Sequence, residues 1–440
     1  MKEIKLDKLK ELNNKIEDNK QLKTLRRVLF NNDLQNIFNK QEEYINNQFF
    51  FSNEIKTLPV ANQKQSGRCW IFAGLNVLRE EVAKKFKLKK FELSQNYTAF
   101  YDKLEKINYF LESMDDFLEC DNDDRTLKYL LNTGIQDGGQ WDMFVSIVEK
   151  YGVVPQQAFP ETNNSSNTRF MNSIINVKLR KYVAEARKLK DKEKINNLKE
   201  ETLEELYNFL VANFGLPPKK FDFEYQNEEG YHVIKDLTPL EFYKNIIGDT
   251  LKDYISIINS PTEDKPFLKT YTVQYLGNVV NGKEIKYLNL EMKELKDLVI
   301  KQLKNNEVVW FGSDVSRFGD RKNGIWDDSY FDMEELLNMN LHMSKEDSLN
   351  YSQSMMNHAM VITGVHLDNN IPVRFKIENS WGKEVGNEGY YICSNSWFDK
   401  YVYQAVINKK YLSKEQLEAF NKKPIVLKPW DPMGSLAEGE

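Results

Sequence analysis

The stretch Gln63-Lys64-Gln65-Ser66-Gly67-Arg68-Cys69-Trp70, followed by Ile71-Phe72-Ala73-Gly74, decides how the rest of the chain is read. Gly67 gives a turn its freedom. Beyond it apolar residues recur at Leu75, Leu78, Val82 and Phe86, the spacing of one face of a helix. The pattern predicts a loop running into a mostly buried helix, with Cys69 at its start. A thiol there meets N–H groups that have no intrahelical partner and the positive end of the helix dipole. Both favour thiolate. The Gln63 carboxamide lies upstream on the loop and could fold back toward the sulfur as a hydrogen-bond donor. A nucleophile beside an anion-stabilising donor is half of an acyl-transfer site. The other half requires a base and a group that orients it.

Only four histidines can supply the base. His232 falls in a Tyr-His-Val strand and His342 near a helix end, where structural roles suffice. His358 opens the run His-Ala-Met-Val-Ile-Thr-Gly-Val and His366 closes it. In a straight strand the two stand about 26 Å apart, so one site cannot use both. His358, at the strand's mouth, is the candidate base. The next predicted strand ends in Glu378-Asn379-Ser380-Trp381-Gly382. If the two strands are neighbours, the Asn379 carboxamide can accept from one ring nitrogen of His358 and turn the other toward the thiol. Trp381 is placed to cover that hydrogen bond.

The remaining chain divides by character. Residues 1–50 predict two charged amphipathic helices, Leu6–Asn19 and Leu22–Phe38, as an N-terminal extension. They read as a helical cap, with an inhibitory pro-segment as the alternative. Residues 51–165 form a helical half containing Cys69. Within it Cys120-Asp-Asn-Asp-Asp124 lacks the ligand spacing and glycine of a calcium loop, and Cys120 among carboxylates is expected to be inert. Asp137-Gly138-Gly139-Gln140 precedes a helix. By its residues it reads first as a tight turn, and second as an open backbone edge that could bind a peptide. Residues 166–264 predict an inserted subdomain: long charged helices at Arg169–Leu189 and Ile195–Phe214, then a hairpin across Asn227-Glu-Glu-Gly230. It carries no evident chemistry and is a candidate for self-association. Residues 265–425 are strand-rich and hold His358 and Asn379. Residues 426–440 form a C-terminal arm.

Composition narrows the function classes. The chain has 440 residues, 41% hydrophobic and 29% charged, which is ordinary for a globular protein. A net charge of −5 gives no footprint for general nucleic-acid binding. Three cysteines suit a reducing compartment better than a disulfide framework. No signal-peptide core or membrane-length apolar run occurs, so a cytoplasmic location is expected. No phosphate loop, Cys-x-x-Cys pair or metal-binding helix is found, and neither cofactor nor metal is expected.

Taken in order, Gln-x5-Cys-Trp, Gly-Gly before a helix, His-Ala and Asn-Ser-Trp-Gly resemble the papain-like cysteine proteases. Asp-Gly-Gly-Gln-Trp-Asp-Met, Tyr-Gly-Val-Val-Pro, Asn-His-Ala-Met and the terminal Lys-Pro-Trp-Asp-Pro-Met-Gly-Ser-Leu-Ala resemble the bleomycin hydrolase and aminopeptidase C branch. The likeness covers nearly the whole chain. It implies an α+β papain-like fold, a helical half against an antiparallel sheet or barrel half. It also implies Cys69 as nucleophile, His358 as base and acid, Asn379 as orienter, and Gln63 with the Cys69 N–H as oxyanion hole. Gly138 and Gly139 would then hold the substrate backbone, reversing the preference for a plain turn. The branch implies peptide substrates, a homohexamer, and a C-terminal arm whose carboxylate near Ala437 meets the substrate's amino group. Here the chain continues with Glu438-Gly439-Glu440, which leaves open trimming of the tail or an altered specificity. The expected activity is a thiol aminopeptidase. Alternatives are an open-cleft thiol endopeptidase and an oligomeric nucleic-acid-associated protein with incidental peptidase activity.

Overall fold

The computed structural model describes residues 1–436, so Ala437, expected at the substrate's amino group, lies outside the described residues. The chain forms two compact units: Met1–Gln48 with Asp328–His342, and Phe49–Asp327 with Met343–Glu440. In the first unit, α1 (Leu6–Glu17), α2 (Lys20–Leu29) and α3 (Gln41–Asn46) contain no buried residue. The helix expected over Leu22–Phe38 stops at Leu29, because Asn31-Asn32-Asp33 favour turns over helix interiors. Asp328–His342 joins this unit rather than the strand-rich region, and Asn39 bridges to Phe331.

In the second unit, α4 (Cys69–Phe86) is buried on nearly every side. Around it stand α5 (Gln95–Ser113), α6 (Arg125–Thr133) and α7 (Trp141–Tyr151). The insertion contributes α8 (Arg169–Ala186) and α9 (Lys192–Phe214). These helices are not protruding spikes. Ile175, Leu179 and Tyr182 on α8, with Leu206, Leu210 and Phe214 on α9, are buried in the same core as Leu75, Phe100 and Val148. Cys120, read from the sequence as lying among carboxylates, also has a basic neighbour. Its sulfur lies 3.5 Å from the Arg187 guanidinium, so a cation stands beside it.

The strands are β1 (Asn53–Glu54), the hairpin β2 (Phe221–Asn227) and β3 (Gly230–Leu237), β4 (Tyr254–Ile258), β5 (Lys269–Val273), β6 (Tyr287–Asn289), β7 (Val309–Ser313), β8 (Gly319–Asp320) and β9 (Ile325–Trp326). Then follow β10 (His358–Asp368), β11 (Ile371–Glu378), β12 (Tyr390–Ser394), β13 (Val402–Asn408) and β14 (Ile425–Leu427). All but the hairpin join one 12-stranded sheet, ordered β14-β5-β6-β4-β13-β7-β10-β11-β12-β9-β8 with β1 on β10. It is mixed rather than purely antiparallel: β4–β6, β12–β9 and β14–β5 run parallel.

β10 explains its own sequence. It lies between β7 and β11, and both its faces are covered. Ala359 and Val361 enter the core shared with α4, while Met360 and Ile362 enter a second core with Leu295 and Trp397. A strand buried on both faces needs apolar residues at every position rather than at alternate ones.

Candidate active site

Cys69 is the first residue of α4, and it is fully buried. Arg68 before it gives the helix no side-chain cap. Its guanidinium instead forks onto Glu161, at 3.0 and 2.8 Å, and its Nε donates to Ser66 Oγ at 2.9 Å. The Arg68 side chain therefore leaves the helix start uncapped, and the positive end of the helix dipole stands at Cys69. The sulfur reaches the sheet directly: the N–H of Ala359, next to His358, donates to Cys69 Sγ at 3.4 Å. The seam between helix and sheet thus runs through the reactive atom.

His358 begins β10, buried, and stands opposite Ser313 of β7. Its Nε2 lies 2.8 Å from Asn379 Oδ1, which also accepts from the Ser380 N–H at 2.8 Å. An oxygen that already takes a backbone N–H can only accept from the ring, so Nε2 carries a proton. Nδ1 is buried and has no hydrogen-bond partner among the described residues. Trp381 packs its indole over the imidazole, with ring centroids 4.9 Å apart, and the Arg321 guanidinium lies 4.6 Å from the centroid of that indole. Burial pulls the His358 pKa down to about 4; the Asn379 bond opposes the shift and Arg321 adds to it. A charged imidazole here therefore needs an anion beside it, and a thiolate would serve.

Gln63 is held at both ends of its amide. Oε1 accepts from Ser380 Oγ at 2.5 Å, and Nε2 donates to the Ser66 carbonyl at 2.7 Å. One amide hydrogen remains for another acceptor. The backbone of Gln63 pairs with the Ser380 carbonyl at 2.8 Å, so loop and turn are mutually fixed.

Gly138 and Gly139 follow the buried Asp137, whose carboxylate accepts from the Gly67 N–H at 2.9 Å. The Trp70 indole N–H donates to the Asp137 carbonyl at 2.7 Å. A Cβ on Gly139 would stand 2.4 Å from the Trp70 ring, so only glycine lets this segment lie against it. The C-terminal arm reaches the same segment: Gln140 Nε2 donates to the Ser435 carbonyl at 2.5 Å. Upstream the arm is fastened by Lys265 to Asp431 at 3.0 Å and by Arg125 over the Trp430 ring at 3.9 Å.

Cys69, His358, Asn379, Gln63, Trp381 and the Gly138–Gly139 segment thus gather along one helix–sheet seam. His366, at the other end of β10, does not join them. Several neighbours were not expected from the sequence. Arg79 on α4 pairs with Glu378 at 2.8 Å, both buried, tying the helix to the residue before Asn379. Ser380 fixes Gln63, and Thr168 and Asn172 of the insertion bind Asp137, so that region does serve the site. Lys103 on α5 reaches the same Asp137 carboxylate at 2.5 Å, and the run Asp102-Lys103-x-x-Lys106, charges set within a helix rich in aromatics, was a signal of it. Among the described residues no group of His, Cys, Asp or Glu could hold a metal ion.

Comparison with known proteins gives a consistent picture. The Peptidase C1-like family matches residues 3–434. Aminopeptidase C of Listeria innocua serovar 6a is 47% identical over 437 residues, 99% of each chain. Bleomycin hydrolase of Mus musculus is 40% identical over 393 residues, 86% of each. The crystal structure of PepW from Lactobacillus rhamnosis HN001 superposes with a TM-score of 0.97 at 45% identity, covering 99% of both chains.

Proposed function

The chain belongs to the Peptidase C1-like family and is a cysteine-type aminopeptidase, and on that premise we propose how its residues divide the work. Cys69, as thiolate, attacks the carbonyl carbon of the substrate's first peptide bond. His358, as imidazolium, gives its Nδ1 proton to the leaving amine, and a thioester remains on the sulfur. Water then attacks the thioester, one of its protons passing to His358, and the C–S bond breaks to restore the thiolate and release the carboxylic acid, which loses its remaining proton to solvent. The oxyanion of each tetrahedral stage is met by the spare Gln63 amide hydrogen and the Cys69 N–H. Asn379 keeps the ring facing the sulfur, and Trp381 keeps water from that bond. Gly138 and Gly139 align the substrate backbone. The observation that carries this assignment is the division of labour on one ring: Nε2 is engaged by Asn379 and Nδ1 makes no hydrogen bond among the described residues, while the next residue, Ala359, donates to the Cys69 sulfur.

The arm supports removal of residues from the amino end rather than internal cleavage. Its described end bonds to Gln140, beside the Gly-Gly segment, so it occupies space that a longer substrate would need. Mass spectrometry of products from an unblocked and an acetylated peptide tests this, with the arm intact and with it shortened. Stepwise loss of N-terminal residues only from the unblocked peptide is expected for the intact arm. Efficient internal cleavage of the acetylated peptide by the intact protein would instead make it an open-cleft endopeptidase.

Self-association, for which the family resemblance implies a homohexamer, is supported by Leu6, Leu9, Leu12 and Phe30, large apolar side chains exposed on the first unit. A monomer in sedimentation at micromolar concentration would end that reading. A cytoplasmic location is supported by the three cysteines of the sequence, too few and too odd a number for a disulfide framework in a chain of this length.

A further inference from the structure

Beneath Gln136–Gly139 lies a buried group of charges: Asp102, Lys103 and Lys106 on α5, and Asp137 in the segment itself. Lys106 Nζ pairs with Asp102 Oδ2 at 2.7 Å, and Asn278 holds the other Asp102 oxygen at 3.0 Å. From that seat the ammonium faces successive carbonyls: Gly138 at 2.7 Å, Gln136 at 3.1 Å and Asp137 at 3.4 Å. The Asp137 carbonyl already takes the Trp70 indole N–H, so the three ammonium hydrogens are matched by Asp102, Gly138 and Gln136. Lys103 meets the Asp137 carboxylate at 2.5 Å. Lys106 Nζ also lies 5.2 Å from the centroid of the Trp70 ring, the same ring on which Gly139 rests.

A buried ion pair is weak grounds for stability, since apolar residues of equal volume often do as well. No apolar side chain can donate to neighbouring peptide carbonyls. Each carbonyl shares a rigid plane with the next N–H, so fixing the carbonyls of Gln136 and Gly138 fixes the tilt of the N–H groups of Asp137 and Gly139. We propose that Lys106, seated by Asp102, is a positioning residue for substrate: it sets the peptide planes against which the substrate backbone aligns and takes no part in the attack. This rests on the peptidase reading above.

The test is Lys106→Met, assayed with an unblocked aminoacyl fluorogenic amide and, separately, for alkylation of Cys69 by iodoacetamide. The alkylation reports on the thiolate without using the Gly-Gly segment. We expect KM to rise about tenfold, kcat to stay within about threefold, and the alkylation rate to hold, the pattern of lost uniform binding. A KM within twofold of wild type overturns the proposal. So does an alkylation rate that falls in step with kcat/KM, because Lys106 would then support the nucleophile. Lys106→Met strands a buried carboxylate, so Asp102→Asn/Lys106→Met is measured beside it and should show the same KM rise. A wild-type KM in the double variant would assign the effect to the stranded charge and sink the proposal, as would failure of both variants to fold. If wild-type protein releases no N-terminal residue, the aminopeptidase reading fails instead, whatever Lys106 does.

Discussion

Asn379 Oδ1 and His358 Nε2 lie 2.8 Å apart, joining the chain just past β11 to the first residue of β10. The bond is buried, roofed by Trp381, and leaves a single imidazole nitrogen for the sulfur. Removing either partner should therefore do different damage. His358→Ala takes away the proton carrier and should lower kcat/KM by roughly 10³-fold. Asn379→Ala leaves the ring in place under Trp381 but badly aimed, at a cost of about 10²-fold. Steady-state kinetics on one unblocked substrate compares them. Near wild-type rates in His358→Ala would remove it as the base.

Cys69→Ala exchanges a buried thiol for a methyl group at a helix start. Turnover should vanish, while stability should change by about 1 kcal/mol or less. Activity and a thermal melt together check this, and residual turnover would point to another nucleophile.

That same variant exposes the pH behaviour of His358. Without a thiolate nearby, burial dominates and the ring should titrate at about 4. The unfolded ring titrates near 6.5 and so binds its proton more readily than the folded one. Stability that is present above about 6.5 is then lost progressively as the pH falls toward 4. An NMR titration of His358 in Cys69→Ala reads the pKa directly. A value at or above 6.5 would contradict the proposed effect of burial.

Arg79 and Glu378 hold α4 to the end of β11. Burial raises the Glu378 pKa and the Arg79 charge pulls it back. Arg79→Leu strands that carboxyl, and the loss should be about 3–5 kcal/mol of unfolding free energy. Arg79→Leu/Glu378→Leu should recover most of it. Urea denaturation of both variants is the check, and additive losses would mean that the pair is not the coupling element.

Trp430→Ala removes the ring that Arg125 covers and should loosen the arm. Cleavage of an acetylated peptide should rise at least severalfold, with little change for an unblocked one. If the acetylated peptide stays untouched, Trp430 is not what retains the arm.

Much of this was legible in the chain as written. Cys69 at a helix start and His358 at the mouth of an apolar run follow from periodicity, because α4 and β10 are largely buried and burial leaves a clear pattern. The insertion was harder. On α8 and α9 a narrow apolar stripe is hidden among lysines and glutamates, so helices that pack into the core resembled free-standing ones. Arg79–Glu378 was missed for another reason. A charge on a helix reads as solvated until the acid that meets it is known, and Glu378 lies far along the chain. The residue count between Cys120 and Arg187 hid that contact in the same way.

The sulfur of Cys69 takes its hydrogen bond from a residue 290 positions further along the chain, and Gln63 is braced by one 317 positions away. A polypeptide still emerging from the ribosome therefore carries the thiol long before it carries the imidazole, the carboxamide or the hydroxyl that make the thiol useful. A translation product that stops before β10 holds the sulfur without the imidazole assigned as its base, so the site cannot be assembled until synthesis has passed Ser380.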